Sequence, residues 1–325
     1  MMKKTISQCM IVKNEEKNIR RALSWGKDIM CEQIVVDTGS SDRTVEIARE
    51  MGAKIFFFPW INDFAAAKNF AIDQAKGDWI AFLDADESFT PEDTKKIPEI
   101  LEYVGDNVDA LLTGIINLDE DNHITSGGTM IRFFVNRPDL RYVGKIHEHL
   151  VRKGRSGLHL TDATKQLAFL HTGYQEQDKK DKSKFERNLN IILEILKQEP
   201  ENCDYLGYLG DTYSSDGKNE EARDAYKKAV AAMPEKLEVY DQRSSYTYTN
   251  LLRVSQCLNA PEAEVEAIYK EAVEKLPKEP DFDCVMGDWY WRKGRYEKAV
   301  QMYELAIAKL ETYGTVNRGI ITTSM

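Results

Sequence analysis

The residues best placed to do chemistry are Asp84-Ala85-Asp86-Glu87, which directly follow the apolar run Trp79-Ile80-Ala81-Phe82-Leu83. Two carboxylates one residue apart, where a strand gives out, can both turn toward one hard cation. Oxygen ligands of this kind suit magnesium or manganese, and such ions bridge a diphosphate. In isolation the same four residues read as a solvated acidic turn. Two further polar groups change that balance, Lys13-Asn14-Glu15 and the segment from Asp37 to Asp42, because each also follows a short apolar run.

These groups must be carried by strands that alternate with helices. Thr5–Val12, Ile34–Asp37, Ala53–Phe58 and Trp79–Leu83 read as strands, with helical patterns from Asn14 to about Trp25, from Asp42 to Met51 and from Asp63 to Ala75. Asn14 and Asp42 are placed to cap the first two helices. The alternation predicts a parallel sheet covered by helices on both faces. In open sheets of this class ligands bind beyond the carboxyl ends of the strands, where all three polar groups fall. Thr90-Pro91-Glu92-Asp93 opens another helix, with Thr90 as cap and Pro91 at its first position. From 108 to 172 the rhythm changes, with strand-like runs at Ala110–Ile116, Met130–Asn136 and Gln166–Leu170.

Helical patterning resumes near Gln177 and continues to about Leu310, and it repeats internally. Gly210, Tyr213, Ala222, Tyr226 and Ala229, in a segment that also holds Gly207 and Pro234, recur at the same offsets as Gly287, Tyr290, Ala299, Tyr303 and Ala306. A poorer middle copy retains only Tyr269, Ala272 and Pro277, and the irregular stretch Ser244–Leu258 puts its first helix in doubt. Such offsets resemble the tetratricopeptide repeat, in which small residues let two antiparallel helices approach and aromatics fill the gap. The expected division is 1–176 for the α/β domain and 177–325 for the helical repeats.

Bulk properties narrow the function classes. The chain has 325 residues, 42% of them hydrophobic and 30% charged, enough for two domains that each bury a core. A net charge of −10, without a dense basic block, argues against nucleic acid as a partner. It also means that a polyanionic substrate needs a local cation. No run of eighteen apolar residues occurs, so no transmembrane segment is expected, and the basic N-terminus lacks the pattern of a signal peptide. Five scattered cysteines, never in a CxxC spacing, read as reduced thiols of a cytoplasmic protein.

Taken together, Met10-Ile11-Val12-Lys13-Asn14-Glu15-Glu16, Val35-Val36-Asp37-Thr38-Gly39-Ser40-Ser41-Asp42-Arg43-Thr44, Ala67-Lys68-Asn69 and Leu83-Asp84-Ala85-Asp86 resemble a family 2 glycosyltransferase of the GT-A fold. Order and spacing both fit over roughly residues 5–90. With the appended repeats, the chain is similar to the sublancin S-glycosyltransferase subgroup. The resemblance implies a UDP-sugar donor and Mn2+ or Mg2+ as cofactor. It implies that Val12, Asn14, Glu15 and Asp37 contact the base and ribose, that Lys68 lies near the nucleotide, and that Asp84 and Ala85 line the donor site. Asp86 is the implied principal metal ligand, supported by Asp84 and by a late histidine; His171 is the candidate, with His147 second. Val143-Gly144-Lys145-Ile146-His147-Glu148 is similar to the segment in which inverting relatives carry their base, and with histidine at 147 the choice falls on Glu148. The alternative is that Glu148 opens a helix and serves its dipole.

A dinucleotide-binding dehydrogenase is disfavoured because no GxGxxG follows the first strand. The competing non-enzyme account is a peptide-binding scaffold of tetratricopeptide repeats with a degenerate nucleotide-sugar domain, against which the intact Asp84/Asp86 pair speaks. The expected acceptor is a peptide, protein or glycan. The hairpins are expected either to recognise it or to form a homodimer, and both stay open.

Overall fold

The structure, a computed structural model, describes residues 4–172, 182–238 and 241–313. The chain forms two compact units, Met1–Asp181 and Lys182–Met325. The expected boundary near 174–181 lies outside the described residues.

In the first unit β1 (Ile6–Val12), β2 (Glu32–Asp37), β3 (Lys54–Phe57) and β4 (Trp79–Phe82) pair in parallel in the order β3-β2-β1-β4. Their crossovers contain α1 (Ile19–Ser24), α2 (Thr44–Glu50) and α3 (Phe64–Asp73). The central strands are buried on both faces, which is why they read as unbroken apolar runs: Ile34, Val35, Val36, Ile80, Ala81 and Phe82 are inaccessible. Burying each such side chain of Val, Ile or Phe size contributes about 1.5–3 kcal/mol.

The four strands expected from the alternation pair in parallel, and beyond them the sheet becomes mixed. After β5 (Glu87–Phe89) and α4 (Pro91–Tyr103), the hairpin β6 (Ala110–Leu118) and β7 (Ile124–Val135) lays β7 antiparallel against β4. A tight hairpin pairs its own strands antiparallel, so β6 and β7 run in opposite directions and any sheet that takes in both is mixed. β8 (Leu140–Val143) and β9 (His149–Arg152) form a separate two-stranded ribbon, β10 (Leu160–Asp162) pairs with β6, and β11 (Ala168–His171) runs between β6 and β5. β11 is parallel to β6 and antiparallel to β5, with His171 opposite Glu87. Thr90 caps α4 as expected, its hydroxyl accepting from the Asp93 N–H at 3.2 Å. Asp63 does the same for α3, accepting from Ala66 at 2.8 Å.

Asn14 does not cap α1. It sits in the left-handed region at φ 58°, its side-chain oxygen accepts from the Ser41 N–H, and the helix starts only at Ile19. Asparagine tolerates this conformation, and the carboxamide ties two strand-end loops together instead of closing a helix.

The second unit contains α5 (Lys182–Gln198), α6 (Cys203–Ser215), α7 (Asn219–Ala232), α8 (Gln242–Cys257), α9 (Glu262–Lys275), α10 (Asp281–Arg292) and α11 (Tyr296–Tyr313). The doubted helix is α8, so the irregular reading of Ser244–Leu258 is overturned. Asp241 caps it by accepting from Ser244 at 2.9 Å, and buried Tyr248 meets Phe282 with ring centroids 6.1 Å apart. Tertiary burial outweighs the weak helix preference of its Ser and Thr residues. The recurring glycine and tyrosine have a steric cause. A Cβ on Gly210 would lie 2.4 Å from the Tyr226 ring, and one on Gly287 would lie 2.6 Å from the Tyr303 ring. Each tyrosine hydroxyl then donates to the aspartate after its glycine, Tyr226 to Asp211 and Tyr303 to Asp288, both at 2.7 Å. Gly210→Ala is therefore expected to cost about 1–3 kcal/mol through overpacking. Urea denaturation checks this, and an unshifted midpoint would contradict it.

Candidate active site

Four of the predicted residues share one hydrogen-bonded shelf at the carboxyl ends of β1 and β2, where Val12 and Asp37 are register partners. The Val12 carbonyl accepts from the Thr38 N–H and hydroxyl at 2.9 and 3.0 Å. Asp37 is buried, and its carboxylate accepts from Gly39 at 3.0 Å and Ser40 at 3.1 Å. Gly39 stands at φ 112°, a conformation only glycine adopts readily, so the turn around Asp37 needs it. The Asn14 N–H donates to Ser40 Oγ at 2.9 Å, and the Glu15 N–H donates to Thr44 Oγ1 at 2.7 Å. Asp37 thus spends its carboxylate at least partly on shaping its own loop.

The other predicted residues meet beyond β4. Lys68, in the second turn of α3, is almost fully buried in an aromatic box, its Nζ 5.1 Å from the centroids of both Phe82 and Tyr142. It reaches Glu148 Oε1 at 2.7 Å and Asp84 Oδ1 at 3.9 Å. Burial alone would lower the pKa of this lysine, but the charges of Asp84 and Glu148 outweigh it and raise it, so Lys68 is an ammonium. Asn69 holds the neighbouring ribbon against α3, donating to the Tyr142 carbonyl and accepting from its N–H, both at 2.9 Å. The Lys145 carbonyl accepts from the Phe64 N–H at 2.8 Å, and His147 turns the chain at φ 54° into β9. No helix follows Glu148, which removes its helix-start reading.

Asp84 is ringed by cations. Its Oδ2 lies 3.3 Å from Arg132 Nη2, and Arg132 also meets buried Glu87 at 2.5 Å. Desolvation would raise the Asp84 pKa, but Lys68, Arg132 and His171 together hold it below the ordinary range. Asp86 is differently engaged. Its side chain is 29% exposed, and its Oδ2 faces His171 Nε2 at 3.4 Å. Its backbone carbonyl accepts from the Thr172 N–H at 3.1 Å. His171 Nδ1 lies 2.8 Å from Asn117 Oδ1, while the Asn117 amide donates to Ser126 Oγ at 2.8 Å, an orientation that leaves Oδ1 as acceptor and directs Nε2 at Asp86. Desolvation works to lower the His171 pKa, but its hydrogen bond to Asp86 and the acidic surroundings raise it.

Among the described residues, no three His, Cys, Asp or Glu side chains converge into a ready-made cage. Asp86 and His171 nonetheless suit a divalent cation that takes its remaining ligands from diphosphate oxygens and water, the usual habit of Mg2+. Asp84 is drawn instead into ion pairs. His147 lies on the Glu148 segment, in the left-handed turn that leads into β9.

Arg132 escaped the sequence reading, and Glu87 was read only as part of the acidic segment after β4, with no partner of its own. Arg132 had a signal: a charge inside the run Met130-Ile131-Arg132-Phe133-Phe134-Val135 must find a buried partner. Lys68→Met should leave Glu148 without its counter-charge, and breaking a buried pair from one side costs about 3–5 kcal/mol. Chemical denaturation checks this, and a variant as stable as the parent would contradict the geometry.

Comparison with known proteins gives residues 7–154 as a match to the model of Glycosyl transferase family 2. Residues 205–235 and 285–314 match tetratricopeptide repeat models. The chain is 33% identical over 231 residues to the SPbeta prophage-derived glycosyltransferase SunS of Bacillus subtilis, across 70% of this chain and 53% of that protein. It is 33% identical over 218 residues to a TPR repeat-containing protein of Synechococcus elongatus, across 65% and 53%. An uncharacterized glycosyltransferase of Rickettsia bellii is 40% identical over 104 residues, 32% of this chain and 34% of that one. The chain thus spans about half the length of the first two relatives. Among solved structures, glucosyl-3-phosphoglycerate synthase from Mycobacterium tuberculosis in complex with Mn2+, UDP and glucosyl-3-phosphoglycerate gives a TM-score of 0.28 at 21% identity, over 36% of this chain and 44% of that one.

Proposed function

We propose, from the premise that residues 7–154 are a domain of glycosyl transferase family 2 followed by tetratricopeptide repeats, that the protein is a metal-dependent glycosyltransferase. It moves a hexose or N-acetylhexosamine from a UDP-sugar to a peptide, protein or glycan acceptor, with inversion. The observation that carries this reading is a convergence. Asp86 with His171, and Glu148 with Lys68, come from distant parts of the chain and gather around Asp84 beyond one strand.

In this reading the shelf from Val12 to Asp37 receives the nucleoside. Asp86 and His171 hold Mn2+ or Mg2+, which when bound balances the charge of the departing diphosphate. The acceptor oxygen attacks the anomeric carbon, the bond from that carbon to the diphosphate breaks, and UDP leaves with the electron pair. Glu148 takes the acceptor proton, its carboxylate oriented by Lys68 through Oε1. Repeats of this kind usually bind peptides, which supports a role in acceptor recognition. All five cysteines are unbridged, which supports a reducing, cytoplasmic setting. No helix among the described residues is long and apolar enough to cross a membrane.

Calorimetric titration of the full chain with UDP-sugars, with and without Mn2+, tests the donor assignment. Binding that strengthens with Mn2+ is expected. The absence of any nucleotide-sugar binding would leave the repeats as a peptide scaffold.

A further inference from the structure

Arg132 lies in β7, between two strands of the sheet, and its guanidinium stacks on Phe169 of β11 at 5.2 Å. A cation so placed must be held by specific partners. Its Nη2 is 2.5 Å from Glu87 Oε1 and 3.3 Å from Asp84 Oδ2, while its buried Nε finds no hydrogen-bond partner. An orphaned buried N–H is unfavourable, so the two carboxylates, not the sheet, set the direction of the guanidinium. Glu87 is equally committed. Its second oxygen accepts from the Asp84 N–H at 3.0 Å, and its own N–H donates to the Asp84 carbonyl at 3.1 Å. Asp84 and Glu87 therefore close a four-residue loop from within, and Arg132 clamps both ends of it. Asp86 is the acidic residue of this loop that the clamp leaves alone, and it faces His171.

We propose that Arg132 is a positioning residue for the cation site, clamping Asp84 and Glu87 so that Asp86 alone in the loop is offered, with His171, to the metal. The inference rests on the metal-dependent reading above and adds a cause: Asp84 is withheld from the metal because Arg132 and Lys68 occupy it. Residues that orient first ligands are expected to tune metal affinity without touching the metal.

Arg132→Lys keeps a cation, but the shorter side chain draws the charge back from the two carboxylates that Nη2 reaches together. Glu87→Gln keeps the shape of the loop and removes the charge that holds the guanidinium. Mn2+ affinity of the full chain with UDP is measured by electron paramagnetic resonance of the free ion, beside thermal melting. Both variants are expected to lose about 10–100-fold in Mn2+ affinity, with turnover at saturating Mn2+ falling far less. Glu87→Gln, nearly isosteric, carries the test if the lysine variant does not fold. Lower melting temperatures with unchanged Mn2+ affinity would assign Arg132 to the core alone and overturn the inference. A parent protein that binds UDP-sugar but no Mn2+ would instead overturn the metal-dependent reading, and the inference with it.

Discussion

Glu148→Gln is expected to lower turnover by about two to four orders of magnitude with a hydroxyl acceptor, the usual contribution of a placed general base. Donor affinity should be unchanged, because the substitution alters one charge on the acceptor side. The local structure tolerates the change: a glutamine carbonyl can still accept from Lys68, now at 2.7 Å from Glu148, and Lys68 keeps Asp84 as a second counter-charge. A melting curve separates loss of chemistry from loss of fold. The acceptor decides how large the effect becomes. A thiol is already partly ionised near neutral pH and needs less help, so the deficit should shrink with a cysteine acceptor. Near-normal transfer to a hydroxyl would place the base elsewhere. Asp119 and Asp121 are then next to test, although Asp119 accepts from the Asp121 and His123 N–H groups in the β6–β7 turn, at 3.0 and 2.8 Å.

Asp86→Ala should abolish the Mn2+-dependent part of donor binding, exceeding the roughly 10–100-fold cost of losing an outer partner. The fold should survive, because what Asp86 contributes to the loop is its backbone carbonyl, which accepts from Thr172 and persists in alanine. Among the described residues, its side chain forms an ion pair with His171. Undiminished Mn2+-dependent affinity in this variant would refute Asp86 as principal ligand. Asp84→Ala should behave differently: it removes a counter-charge from both Lys68 and Arg132, so its effect should include lost stability.

Much of the first unit was legible because strand ends in an α/β sheet announce themselves. An apolar run that stops at Asp37 or Asp84 can only be a buried strand reaching the sheet's edge. The repeats were legible for a steric reason, since Gly210 and Gly287 each leave space for a tyrosine ring sixteen positions on. Three matters were hidden, each because it depends on pairing between distant segments. β11 lies beside β5, and that register puts His171 opposite Glu87. β7 enters antiparallel beside β4 and brings Arg132 to Asp84. α8 forms despite its Ser and Thr content because Tyr248, Leu251 and Leu252 are buried. Asn14 was misread from local sequence for a related reason: its partner is Ser41, across two strand ends.

The most direct test is release of UDP from a UDP-hexose by the full chain, with and without Mn2+, over a panel of peptide and glycan acceptors. UDP should appear only with the cation, faster with a competent acceptor, and the transferred sugar should carry the inverted anomeric configuration. Equal release without metal, or a product that retains the donor's configuration, would contradict the account.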